Sequence, residues 1–242
     1  MSALAPDLGW AALAVALAGV VRGFAGFGAA MIMAPALSLL YPPASAIATM
    51  TLIEVPAVLQ LLPQALRHGD WRTAAPLGAA AVVTVPLGAW VLVVADPDVM
   101  RRAIGLLVLA FVAALATGWR YRGATGLPVV LGIGAGSGFL GGATSMAGPP
   151  VILFDLAGPA RARAARASIM GFFVFTVAVA IVTYGLHGLY TQAVLVRAAL
   201  LAPVYIAAIW LGSRLFAGAH ETLYRRIALV VLAGIAAAAL FG

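Results

Sequence analysis

The chain contains no cysteine and no lysine, and only 9% of its 242 residues are charged. Without cysteine there are no disulfides, no thiolate chemistry and no cysteine-bound metal. An ordinary soluble domain is about 25% charged, so this chain cannot cover a water-facing surface, whereas lipid would solvate its apolar side chains. The HExxH, GxSxG and P-loop patterns are also absent, which argues against an enzyme and gives no reason to expect a metal or cofactor. All 14 basic residues are arginine, and the net charge is +7. That balance would suit nucleic acid, but the arginines sit in short segments between apolar stretches, where they serve as topology signals. No nucleic-acid partner is expected. Ala16-Leu17-Ala18 resembles a cleavage site, yet the only charge before it is Asp7. A signal peptide needs a basic leader, so residues 1–21 are expected in the mature fold.

What is present is apolar: 64% of the chain. A membrane-spanning helix needs about 20 such residues. Residues 7–21 and 29–41 are short apolar segments separated by the run Arg22-Gly23-Phe24-Ala25-Gly26-Phe27-Gly28. Residues 44–66, 73–95 and 101–119 are long enough to span. The pattern then recurs, with short segments at 127–137 and 143–157 around Gly138–Gly142, and long ones at 166–186, 192–213 and 224–241. Asp96 and Pro97 read as the cap and first turn of a helix. His68 and His187 occupy matched turns, and Trp71, Trp119, Tyr121, Tyr190 and Tyr224 suit interfacial belts.

The two halves carry the same parts in the same order. Gly23-Phe24-Ala25-Gly26 matches Gly138-Phe139-Leu140-Gly141, and Pro35 matches Pro150, both at an offset of 115. His68 to Trp71 matches His187 to Tyr190 at 119, and Leu87-Gly88 and Arg101-Arg102 match Leu211-Gly212 and Arg225-Arg226 at 124. Repeat 1 covers about 7–119 and repeat 2 about 127–242. If each Gly-interrupted unit is a hairpin that returns to its own side, ten loop arginines face one side and two the other. If each unit crosses once, the division is eight to four. The positive-inside rule favours the hairpin. The expected fold is an all-α membrane protein of about eight spanning segments in two inverted repeats. Each repeat is a Gly-broken, re-entrant-like hairpin followed by three spanning helices, and both termini lie outside.

Non-helical backbone at membrane depth survives only where protein buries it or where it lines a cavity. The paired breaks therefore point to a site. Helix N-termini that follow a break attract anions. The expected substrate-binding residues are Arg22, Gly23, Gly26 and Gly28 in the first break, and Ser137, Gly138, Gly141, Gly142, Thr144 and Ser145 in the second. The competing reading of the glycines is close helix packing, and of Arg22, snorkelling to the surface. Glu54, in mid-membrane, is either a proton carrier or the partner that neutralises Arg22. Thr49, Thr51 and Ser168 are candidate cavity hydroxyls, unless they bond their own helix backbone. Asp155 and Arg197 are expected at the interface, Arg197 snorkelling outward.

The Gly-Phe-x-Gly-x-Gly break at 23–28, Pro35, the Tyr41-Pro42-Pro43 turn and the Gly69-Asp70-Trp71 turn resemble the TauE/SafE family of sulfite and organosulfonate transporters. The likeness runs over nearly the whole chain. It implies a multi-pass inner-membrane carrier for small sulfur-containing anions, with the family's Gly-rich motifs at Gly23–Gly28 and Gly138–Gly142. Glu54 and the arginine-rich 159–166 loop depart from the pattern, and Glu54 sets proton coupling beside a plain anion pathway. The partners implied are a small anion, the bilayer and, with coupling, protons. A non-transporting membrane scaffold would explain the composition but not the paired breaks.

Overall fold

In the computed structural model the described residues are 5–25, 28–68, 71–117, 126–155 and 162–215. They form nine helices and no strand: α1 (Ala5–Ala25), α2 (Ala29–Leu40), α3 (Pro43–His68), α4 (Trp71–Val94), α5 (Pro97–Ala116), α6 (Leu127–Thr144), α7 (Gly148–Asp155), α8 (Ala162–Leu186) and α9 (Gln192–Leu215). Helix is the natural outcome, because each backbone amide must find its partner within its own segment once water is removed. Five stretches among the described residues are long and apolar enough to cross a bilayer: Pro43–Gln60, Ala74–Val94, Pro97–Ala116, Leu127–Thr144 and Gln192–Arg214. Large apolar side chains such as Trp10, Val83, Trp90, Leu106 and Trp210 are exposed, as lipid-facing positions should be. The chain is a multi-pass membrane protein.

Local chemistry sets several boundaries. The Asp96 carboxylate accepts from the amides of Asp98 (2.9 Å) and Val99 (3.1 Å), with Pro97 opening α5, as the sequence suggested. Tyr41 leaves α2 in extended backbone, the conformation favoured before Pro42.

The chain divides into two compact units, and these are not its two halves. One holds α1, α2, α3 through Ile53, α5 and α9. The other holds α3 from Glu54, α4, α6, α7 and α8. In the first unit α1 packs along α9, and α2 rests on α1 and α5. In the second, α6 packs along α4, and α8 closes on both. Leu77, Ala81, Val130, Ala147, Val151 and Phe172 fill the second unit's core.

The structure corrects the placement of the breaks. Helix α1 continues through Arg22 and Gly23 to Ala25, and α6 runs unbroken through Gly138 and Gly142 to Thr144. Glycine costs about 1 kcal/mol against alanine in a helix, but here it permits backbone contact. A Cβ on Gly23 would stand 2.9 Å from the Ile209 carbonyl carbon and the Ser213 nitrogen of α9. On Gly142 it would stand 2.8 Å from the Val85 carbonyl carbon and 2.9 Å from the Ala89 nitrogen of α4. Gly212 and Gly88 answer from the other side, against Val20 and Phe139. The glycines are seams, and the interruptions lie just beyond them.

The register of these contacts differs from the 115-residue match. Gly19 and Gly23 meet α9 at Tyr205, Ala208, Ile209 and Ser213, while Gly138 and Gly142 meet α4 at Ala81, Thr84, Val85 and Ala89. The glycines are thus 119 apart and their partners 124 apart. Helices α2 and α7 begin 119 apart, as do α3 and α8. Gly23 and Gly142 thus hold corresponding places in their two seams, and Gly138 lies one helical turn before Gly142.

Candidate functional site

In the first unit α1 ends at Ala25 and α2 begins at Ala29, with Gly28 ahead of it. This residue caps α2 in left-handed backbone, with φ of 93°, and no side chain caps the helix. Glycine is the residue that takes this conformation without a Cβ penalty. The Met31 amide donates to the Gly28 carbonyl at 3.1 Å, so the Ala29 and Ala30 amides precede the first helical bond. Arg22 lies in the last turn of α1, partly buried and engaged with a partner. Gly26 lies outside the described residues. This break offers uncapped amides at the positive end of a helix dipole, with a guanidinium six residues before the cap in sequence.

The second unit's interruption is built differently. Ser145 ends α6 in left-handed backbone, φ 55°, and its amide donates to the Gly141 carbonyl at 2.8 Å. The chain folds so tightly here that a Cβ on Gly141 would sit 2.9 Å from that of Ala147. The Thr144 hydroxyl donates to the Leu140 carbonyl at 2.7 Å and accepts from the Met146 amide at 3.3 Å. Helix α7 then opens Gly148-Pro149-Pro150. Two prolines remove two amides from its first turn, leaving it a poor anion cradle beside that of α2. Ser137, one turn before Gly141, is fully buried and its hydroxyl has no partner.

The remaining candidates are scattered. Thr49 and Thr51 donate to the Ser45 and Ile47 carbonyls of their own helix at 2.8 and 3.0 Å. The side chain of Ser168 lies outside the described residues, as does that of Asp155. Glu54 is buried in α3 and has a partner; it opens the second unit, whereas Arg22 belongs to the first. Among the described residues, no group of three His, Cys, Asp or Glu side chains could hold a metal.

Several polar residues have roles that their sequence positions did not reveal. Tyr184, fully buried on α8, donates from its hydroxyl to the Gly142 carbonyl at 2.7 Å. It satisfies one of the carbonyls left open at the end of α6. Only the rule that a buried tyrosine hydroxyl needs a partner could have marked it. The outward snorkelling expected of Arg197 is not found. Its guanidinium carbon lies 4.1 Å from the centre of the buried Tyr41 ring, and Nη1 donates to the Ser45 hydroxyl at 3.1 Å. Arg101 donates from Nε to the Ser38 carbonyl at 2.8 Å and pairs with Asp98 at 2.6 Å. Two arginines from α5 and α9 thus hold the turn between α2 and α3. Burial raises the Tyr41 phenol above its ordinary value, against a lowering pull from Arg197 and a further push from Asp7.

The model of the family described as "Sulfite exporter TauE/SafE" matches residues 11–239. A protein of Cupriavidus necator named "Probable sulfite/organosulfonate exporter TauE" is 29% identical over 222 residues, covering 88% of this chain and 85% of its own length. No solved structure matches.

Proposed function

Because this chain belongs to the sulfite exporter TauE/SafE family, we propose that it is a secondary carrier that moves a small sulfur-containing anion, such as sulfite or a short sulfonate, across the inner membrane. The observation that carries this reading is the pair of helix interruptions, at Gly28 and at Ser145, each with left-handed backbone and each following a glycine seam. Interrupted helices in matched positions are the recurring binding-site plan of secondary transporters. The 119-residue spacing of the seams supports a duplicated architecture in which each unit joins a hairpin from one half to a helix from the other.

The anion is placed at the first break, on the Ala29 and Ala30 amides with Arg22 as counter-charge, because α7 lacks the equivalent amides. Ser137, Thr144 and Ser145 belong to the second break, and Glu54 is the candidate proton carrier. Contacts within the first unit support the hairpin topology. The Ser38, Ser45 and Tyr41 contacts bring the turn after α2, the start of α5 and the start of α9 to one end, and the Tyr41 phenol there feels the charge of Asp7 near the start of α1. This is the end expected to face outward.

The test is sulfite and methanesulfonate flux in vesicles containing the purified protein, with a thermal-shift screen beside it, since a ligand of the folded state raises its melting temperature by mass action. Saturable flux is expected, and Arg22→Ala should weaken binding by at least tenfold. Absence of flux for sulfite, sulfonates, sulfate and carboxylates alike would refute the carrier reading and favour a scaffold.

A further inference from the structure

The described residues hold four buried side-chain polar atoms without a partner: Ser38 Oγ, Ser137 Oγ, Tyr190 Oη and Arg197 Nε. Three of them belong to the first unit, on or beside the end of α2 and the start of α9, which Arg197 joins. Ser38 is in the last turn of α2, Tyr190 lies two residues before α9, and Arg197 stands on the early part of α9, where it reaches the turn after α2. A buried polar atom with no protein partner calls for water or an ion. All three can donate: an N–H, a phenol and an alcohol.

Arg197 fixes the chemistry. Its head is folded in against Tyr41, which is 8% exposed, rather than out toward solvent. Nη1 is spent on Ser45, whereas Nε–H, which opens the guanidinium's side edge, is buried and unspent. That edge receives oxyanions in bidentate fashion. The Asp7 carboxylate is near enough to act on Tyr41, yet among the described residues no carboxylate forms an ion pair with Arg197, so its open edge is not closed by a fixed partner. Arg101, by contrast, has Asp98. Burial pushes the Tyr190 phenol up to about 12, so its proton stays available to an anion near neutrality.

We propose that Arg197, with Ser38 and Tyr190, forms a second oxyanion site at the α2–α3 turn, separate from the break at Gly28. It rests on the anion-carrier reading and adds a station to the path. From Asp7 to Arg22 along α1 is about 22 Å at 1.5 Å per residue, so the two stations lie near opposite ends of the unit. The ligand class is a tetrahedral or pyramidal oxyanion with at least two oxygens to share, as in sulfite or a sulfonate. Tyr41 is the positioning residue that holds the guanidinium plane.

The experiment uses the full-length protein in detergent, with sulfite and methanesulfonate as probes. Thermal shift is measured in wild type, Arg22→Ala, and Arg22→Ala combined with Arg197→Gln or Arg197→Lys. The Arg22→Ala protein should keep an anion-dependent rise in melting temperature. Arg197→Gln in that background should abolish it, and Arg197→Lys, which keeps charge but loses the fork, should weaken it at least tenfold in apparent Kd. No rise in Arg22→Ala at saturating anion, or a rise untouched by either Arg197 change, overturns the second site. Flux is scored separately: wild type that transports while Arg197 variants bind normally leaves the carrier reading standing and removes this one. Wild type that binds through Arg197 but never transports does the reverse.

Discussion

Replacing Gly142 with alanine separates the two readings of the glycine-rich segments. If Gly142 were part of a flexible break, a methyl group would be tolerated by the fold and felt in transport. The structure places the new Cβ 2.8 Å from the Val85 carbonyl carbon and 2.9 Å from the Ala89 nitrogen. Carbon contacts settle at about 3.5–4.0 Å, so α4 would have to withdraw by roughly 1 Å along the most extensive helix contact in its unit. The obstructing atoms are backbone and cannot rotate away. Overpacking of this kind costs about 1–3 kcal/mol, partly offset by the gain of up to about 1 kcal/mol from alanine's helix propensity. Gly136→Ala is the control, because nothing lies within 4 Å of its added Cβ. It should be neutral or stabilising by up to about 1 kcal/mol. Melting temperatures in detergent at one fixed scan rate should therefore rank Gly136→Ala at or above wild type and Gly142→Ala below both. Gly88 faces Phe139 and Ala143 across the same seam, so adding Gly88→Ala should cost less than the sum of the single changes, as contacting sites do. Gly142→Ala melting at or above Gly136→Ala would refute the seam.

Tyr184→Phe leaves the Gly142 carbonyl without its donor, and stability should fall by about 1–3 kcal/mol; an unchanged melting temperature would show that another group takes over. Glu54→Gln should flatten the pH dependence of flux if Glu54 carries the proton, and flux that keeps its wild-type pH profile rejects that role. Alkaline titration offers a check on Tyr190, whose phenol is raised to about 12 against 10.0 for a free tyrosine. Between those values the unfolded chain has lost a proton that the folded one keeps, so stability falls as pH rises through that window. Tyr190→Phe should lessen the fall. Cysteines placed in segments 67–72 and 157–166 should be labelled from one and the same side of the membrane, and labelling from opposite sides would overturn the inverted topology.

Properties set by neighbouring residues were legible in the sequence alone. Low charge and long apolar runs require a lipid-facing, all-helical chain, whatever the packing. The Asp96-Pro97 start of α5 was readable because a cap depends on three or four consecutive residues. The existence of two interruptions was legible for the same reason, to within a few residues. What the glycines do there was not. A glycine in a helical run is a break if nothing approaches it and a seam if another backbone does. For Gly23 that backbone is Ile209 to Ser213, and for Gly142 it is Val85 to Ala89. Those partners lie over fifty residues away, so only the tertiary structure could decide between the two uses. Arg197 follows the same rule. One turn into an apolar helix, its sequence position suits snorkelling, but a ring and a hydroxyl supplied by the α2–α3 turn draw it inward. Hydropathy and capping are written in adjacent residues, whereas the direction a polar side chain takes depends on what the fold brings beside it.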